Sequence, residues 1–250
     1  MTTKVLILGS SGLIGHQIYN YLDTFANYDL VDISYRNKLS KQTIQIDAMN
    51  EYKFLKAIEE ISPNYIINCI GILIDEADRS IEKTIFLNAL LPHKLRKLAD
   101  SINARLIHMS TDCVFSGLKG SSYIETDRKD GKDTYAKTKG LGEVICNNHL
   151  TLRTSVVGPE LKEDGSELFN WFLRQSNIIS GFTDVYWSGV STIELAKAVH
   201  WAIINDLAGL YHITNNKKIS KNDLLRLFRK FTNKDIDIQP ISGKNIDKSF

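Results

Sequence analysis

The sequence predicts an α/β fold: a doubly wound parallel sheet with a smaller, mostly helical C-terminal lobe. Three observations carry that prediction. An apolar run without alternation occupies residues 4–8, a glycine turn follows it directly, and strand-like and helical spacings then alternate as far as Pro159. Residues 4–8 read K-V-L-I-L, the pattern of a strand buried on both faces of a parallel sheet. Gly9-Ser-Ser-Gly12-Leu-Ile-Gly15 comes next, and Ile14, Ile18, Tyr21, Leu22 and Phe25 then recur at helical spacing. Strand, glycine turn and helix in this order make a Rossmann-type unit.

The rhythm continues along the chain. Strands are predicted at 30–34, 43–46, 65–70 (introduced by Pro63), 106–109 and 150–157 (closed by Gly158-Pro159). Between them, Phe54, Leu55, Ile58 and Ile61 mark one helix face, and Leu91, Leu95, Leu98 and Ile102 mark another. A polar stretch at 116–133 leads into a helix carrying Tyr135, Lys139 and Val144. Strands alternating with helices of this length imply right-handed crossovers. After Pro159, Leu168, Trp171 and Phe172 suggest a helix. Ser191 and Glu194 fit a capping box before Leu195, Val199, Trp201 and Ile203. A strand at 210–213 and a Ser220-capped helix bearing Leu224, Leu225, Phe228 and Phe231 complete the chain. The expected division is a dinucleotide-binding domain at 1–159 and a substrate lobe at 160–250, interleaved with the last strands of the sheet.

Composition narrows the function. Across 250 residues, 31 Lys+Arg against 29 Asp+Glu give a net charge of +2, which argues against coating nucleic acid or an anionic membrane. A 43% hydrophobic content with 10 Phe, 10 Tyr and 3 Trp supports a real core. Cys69, Cys113 and Cys146 form no CxxC pair and no HExxH occurs, so no metal site is expected. The start runs straight into a strand without a signal-peptide core, and the longest nearly apolar run, 65–74, is about half a bilayer span. The expected compartment is the cytoplasm.

The three glycines have separate uses: Gly9 for the turn, Gly12 for close backbone approach to a pyrophosphate, and Gly15 for helix–strand packing. The helix N-terminus adds free N–H groups and a favourable dipole, so Ser11, Leu13 and Ile14 are also expected against a dinucleotide. Asp32 lies inside the second strand, whereas Ser34 and Arg36 lie at its end. This favours NADP(H), with NAD(H) as the alternative if Arg36 is only a solvated charge. Asp47 either accepts from the adenine amine or caps the next helix with Asn50.

A Y-x-x-x-K pair places a phenol and an ammonium on one helix face. Two such pairs occur, Tyr52/Lys56 and Tyr135/Lys139. Only the second follows a polar loop and a strand with Ser110-Thr111 just at its C-terminal end, the side of an α/β sheet where ligands bind. Thr111, Tyr135 and Lys139 are therefore the candidate catalytic set. Thr111 is suited to hydrogen-bond a substrate oxygen, Tyr135 to donate a proton, and Lys139 to lower the phenol's pKa and hold the nicotinamide ribose.

These residues resemble the extended short-chain dehydrogenase/reductase family, in its dTDP-4-dehydrorhamnose reductase-like branch. The resemblance is carried by the glycine loop, Asn68-Cys-Ile-Gly71, Leu87-Asn-Ala-Leu-Leu-Pro-His93, Met109-Ser-Thr-Asp-Cys-Val-Phe-Ser-Gly117, Tyr135-Ala-Lys-Thr-Lys-Gly-Leu-Gly-Glu143 and Leu152-Arg-Thr154. It implies reduction of the 4-keto group of a nucleotide-linked 6-deoxyhexose for surface polysaccharide, with the nucleotide-sugar as partner and room for a homodimer. It also implies cofactor contacts at Cys69 and Gly71 and substrate contacts at Asp112 and Cys113. Related dehydratases carry Asp-Glu after the Thr. Here Cys113 follows Asp112, which favours a simple reductase over an elimination needing both acid and base. The stretch Asp184-Val-Tyr-Trp-Ser-Gly-Val-Ser-Thr192 departs from the family's D-Q-x-G-x-P-T-like segment, so UDP-linked sugars stand beside dTDP-linked ones. Trp187 is expected either to line the sugar pocket or to pack in the core. Family members usually continue through another helix, so a chain stopping at Phe250 is expected to be trimmed or to lack that helix.

Overall fold

The computed structural model describes residues 2–162, 165 and 167–250. Its centre is a seven-stranded sheet made of β1 (Thr3–Leu8), β2 (Tyr28–Ser34), β3 (Ile44–Gln45), β4 (Tyr65–Asn68), β5 (Arg105–Thr111), β6 (Leu150–Thr154) and the strand Gly209–Ile213. All neighbours pair parallel, in the spatial order Gly209–Ile213, β6, β5, β4, β1, β2, β3. The chain moves outward from β1 to β3 and then restarts on the other side of β1 with β4. The crevice at that reversal is where such sheets bind ligands.

The run K-V-L-I-L is buried on both faces. Leu6 and Leu8 enter a core with Phe54, Ile58, Leu91 and Leu95, while Val5 and Ile7 enter another with Ile18, Leu22, Leu195 and Val199. Helix Gly15–Leu22 covers one face and helix Glu51–Ile61 the other. The latter starts at Asn50, whose side chain accepts from Lys53 N, and ends at Ser62 in the left-handed conformation before Pro63.

Three of the boundaries that differ from expectation shape the site. Helical structure begins at Ile81, ahead of Leu91, because a π turn at Ile85–Leu90 joins two α segments and breaks the 3.6-residue spacing. β5 extends through Ser110 and Thr111, which pair with Arg153 and Thr154 of β6. The helix bearing Tyr135 and Lys139 is Thr134–Leu141, so Val144 lies beyond it. The chain there runs so close to the π turn that a Cβ on Gly142 would overlap the Asn88 carbonyl.

The second half of the chain splits between two bodies. Helix Thr192–Ile204, N-capped by Ser191, packs Leu195, Ala196 and Val199 beneath the sheet, and the chain then adds the strand Gly209–Ile213 to it. The remainder builds a small lobe around Phe172, Ile179, Trp187, Leu224, Leu225, Phe228, Ile236 and Ile238. Helices Leu168–Arg174 and Lys221–Thr232 are joined there by short strands. Ile178–Phe182 pairs with Asp237–Ile241, and Val185–Trp187 lies between Ile219–Ser220 and Ile246–Asp247. No helix among the described residues is long and apolar enough to cross a membrane.

Candidate active site

The glycine turn is built by close backbone approach. Gly9 has φ +78°, in the left-handed region, and its carbonyl accepts from Gly12 N at 3.0 Å. A Cβ on Gly15 would stand 2.3 Å from that same carbonyl, so only glycine lets the helix start so near the strand. No side chain caps this helix at Ile14, and its first turn carries no acidic residue. Ser11, Gly12, Leu13 and Ile14 line a cleft of about 490 Å³ together with Cys69, Ile70 and Gly71 from the end of β4. An uncapped helix N-terminus facing an open cleft over a turn without side-chain bulk is the donor set that a dinucleotide pyrophosphate requires. The chain fits such a cofactor.

The same cleft is lined by Thr111, Asp112, Cys113, Tyr135 and Lys139. Thr111 ends β5, and its hydroxyl donates to Asp112 Oδ1 at 3.1 Å and accepts from Cys113 N, capping the turn Asp112–Val114. Lys139 is 5% exposed, and its Nζ donates to Met109 O at 2.6 Å. Burial draws the Lys139 ammonium down to about 8, with the Glu143 carboxylate opposing the fall. The Tyr135 phenol moves the other way from the expectation of a lowered pKa. Burial, reinforced by Cys113, pushes it above its ordinary value of 10.0, while a hydrogen bond with Thr111 opposes the rise. One of the three Lys139 ammonium protons goes to the Met109 carbonyl, and burial keeps the Tyr135 phenol protonated. Burial also pushes the thiols of Cys69 and Cys113 up to about 12, which leaves both unreactive as nucleophiles.

Gly9 and Gly15 shape the turn behind the cleft, and three side-chain candidates stand off its walls. Arg36 is exposed beyond β2 with its guanidinium over the Tyr35 ring. Asp47 closes a local turn by accepting from Met49 N at 2.9 Å, and Asn50 rather than Asp47 caps the helix. Trp187 is 6% exposed in the lobe core, where its indole N–H donates to Ser155 Oγ. Its apolar packing accounts for its position. Asp32, on the same strand as Ser34, is buried and accepts from Ser10 Oγ.

The sequence reading missed the far wall. Asp75, Glu160 and Glu167 also line the cleft. Burial and repulsion from Glu160 and Asp75 hold the Glu167 carboxyl above its usual range. Its signal was its place just before the apolar face of Leu168, Trp171 and Phe172, where it forms the N-cap of that helix. Also missed was a buried ionic cluster behind Ser110. There Glu143 receives Arg153 in a two-bonded pair at 2.7 and 2.9 Å.

Similarity to known proteins follows the geometry. The chain is 27% identical over 220 residues to dTDP-4-dehydrorhamnose reductase of Salmonella typhimurium, covering 84% of this chain and 72% of that protein. It is 28% identical over 203 residues to methionine adenosyltransferase 2 subunit beta of Rattus norvegicus, covering 79% of this chain and 56% of that protein. Its fold matches the crystal structure of dTDP-4-dehydrorhamnose reductase from Bacillus anthracis in complex with NADP. That match has a TM-score of 0.85 at 23% identity over 98% of this chain and 85% of that one. The family model described as the RmlD substrate binding domain matches residues 3–249, which takes in both the glycine cleft and the small lobe; the chain belongs to that family.

Proposed function

We propose that the protein reduces the 4-keto group of a nucleotide-linked 6-deoxyhexose, dTDP- or UDP-linked, with NADP(H) preferred over NAD(H), in making surface polysaccharide. The observation that carries this reading is the convergence of Thr111, Tyr135 and Lys139 on the cleft that the glycine turn opens into. When bound, the dinucleotide supplies the hydride. The backbone of Gly9, Gly12 and Gly15, with Ser11, Leu13 and Ile14, holds its pyrophosphate. Cys69 and Gly71 flank it, and Lys139 binds the nicotinamide ribose. Arg36 and Asp47 serve the adenosine end.

Thr111 orients the keto oxygen, and Tyr135, protonated at neutral pH, gives that oxygen its proton. Asp112, Cys113 and Trp187 belong to the substrate side, with Trp187 acting through the packing of the lobe. Reduction calls for a proton donor rather than a base, and a phenol kept neutral by burial suits that direction. The cytoplasm is the compartment for this chemistry. The exposed apolar residues Ile81, Ile85, Leu141 and Ile145 support a homodimer, which sedimentation equilibrium would test.

The deciding experiment measures NADPH oxidation against a panel of dTDP- and UDP-linked 4-keto sugars. Tyr135→Phe is expected to keep NADPH binding and to lose turnover by about 10²–10⁴-fold. Unchanged turnover in that variant overturns the assignment. A second reading, a non-catalytic NADP(H)-binding subunit, draws on the similarity to methionine adenosyltransferase 2 subunit beta. NADPH binding without oxidation across the whole panel would favour it.

A further inference from the structure

Glu143 lies eight residues beyond Tyr135 and four beyond Lys139, and its side chain is fully buried. Its carboxylate accepts four hydrogen bonds. Oε1 takes Ser110 Oγ at 2.8 Å and Arg153 Nε at 2.7 Å, and Oε2 takes Arg153 Nη2 at 2.9 Å and Lys129 Nζ at 2.9 Å. Arg153 is the register partner of Ser110 across β5 and β6, and its remaining nitrogen donates to Glu125 O at 3.0 Å. The consecutive residues at the end of β5 are therefore held by three side chains spaced four apart: Met109 by Lys139, Ser110 by Glu143, and Thr111 by Tyr135.

The charges are arranged as specifically as the bonds. The groups facing Lys139 are Glu143, Cys69 after β4 and His108 on β5. Burial keeps the Cys69 thiol protonated and the His108 ring neutral, so Glu143 supplies the negative charge beside this ammonium. Burial of an ammonium without such a neighbour favours the neutral amine.

We propose that Glu143 is a positioning residue: its hydrogen bonds fasten the end of β5 to the turn that leaves the Tyr135 helix, and its carboxylate is the anion set four residues beyond the Lys139 ammonium. The proposal rests on the reading of Thr111, Tyr135 and Lys139 as the reacting set. NADPH affinity of the whole chain, followed by nucleotide fluorescence from neutral to alkaline pH, tests it without needing the sugar. Affinity is expected to weaken as Lys139 deprotonates, and Lys139→Met is expected to remove that step.

In Glu143→Gln the midpoint should move down by about 1 pH unit. In Lys129→Met, which removes a cation from the same carboxylate, it should move up. Opposite shifts are a signature that a purely structural role would not produce. An unmoved midpoint in Glu143→Gln overturns the proposal, as does persistence of the step in Lys139→Met. If Glu143→Gln fails to fold, Lys129→Met decides: an upward shift supports the proposal and any other result overturns it. Absence of NADPH binding in the wild type would instead sink the functional reading beneath it.

Discussion

The sheet and the small lobe solve the same problem differently. The sheet buries whole apolar strands between two helical layers, with Val5, Leu6, Ile7 and Leu8 all at 0% exposure. The lobe has eight buried apolar residues, two of them Phe and one Trp, stitched together by strands of two to five residues. One body is ordered by repetition and the other by a few large side chains. The difference matches the labour proposed for each: the sheet body carries the glycine turn and Tyr135, and the lobe supplies Glu167 to the cleft wall.

That contrast can be broken at its most concentrated point. Phe228 packs against both Phe169 and Phe172, and Phe228→Ala is expected to cost about 3–5 kcal/mol. If the two bodies are as separate as their cores suggest, thermal melting will show an early lobe transition while NADPH affinity holds. A single lowered transition with affinity lost would show that they melt as one.

The sheet has its own critical position. Gly15→Ala puts a Cβ against Gly9 O, and NADPH affinity is expected to fall by about tenfold to a hundredfold with the lobe intact. Isothermal titration against the wild type measures this.

Acid probes the seam behind Ser110. Arg153 and Lys129 hold the Glu143 carboxyl below its ordinary 4.5, although burial pulls the other way. A depressed carboxyl contributes stability above its unfolded pKa and loses it as pH falls through the folded value. The melting temperature should therefore drop on acidification below about 4.5, and Glu143→Gln should show a shallower drop. The smallest effect is at the lobe's helix cap. Ser220 Oγ accepts from Asp223 N at 3.0 Å, so Ser220→Ala is expected to cost about 1 kcal/mol in denaturant melts and to leave turnover alone.

The two regions also differ in how far their sequence can be read. Residues 4–8 and the glycine turn announce themselves because strand burial and the need for small residues are local properties. Thr111, Tyr135 and Lys139 were legible because a strand end and a four-residue helical spacing bring them together. The lobe's strands were not, since Val185–Trp187 finds its partners some thirty and sixty residues away. Arg153 sits inside a predicted strand, and nothing in the chain names its partner. Only the pairing of β5 with β6 shows that it is 2% exposed and bound to Glu143. Trp187 invited a pocket role by being aromatic, yet its surroundings are Phe172, Leu225 and Phe228.

The π turn at Ile85–Leu90 has a consequence for how this chain can change length. Its wide winding carries the fully buried Asn88, whose side-chain amide accepts from Ile72 N at 2.8 Å and donates to Ile72 O at 2.9 Å. That amide acts as a substitute peptide group and fastens the loop after Cys69 and Gly71 from the side. Removing one residue from the turn would restore ordinary winding and take Asn88 out of register with Ile72. A change of chain length at Asn88 would therefore loosen the loop that carries Cys69 and Gly71 into the cleft.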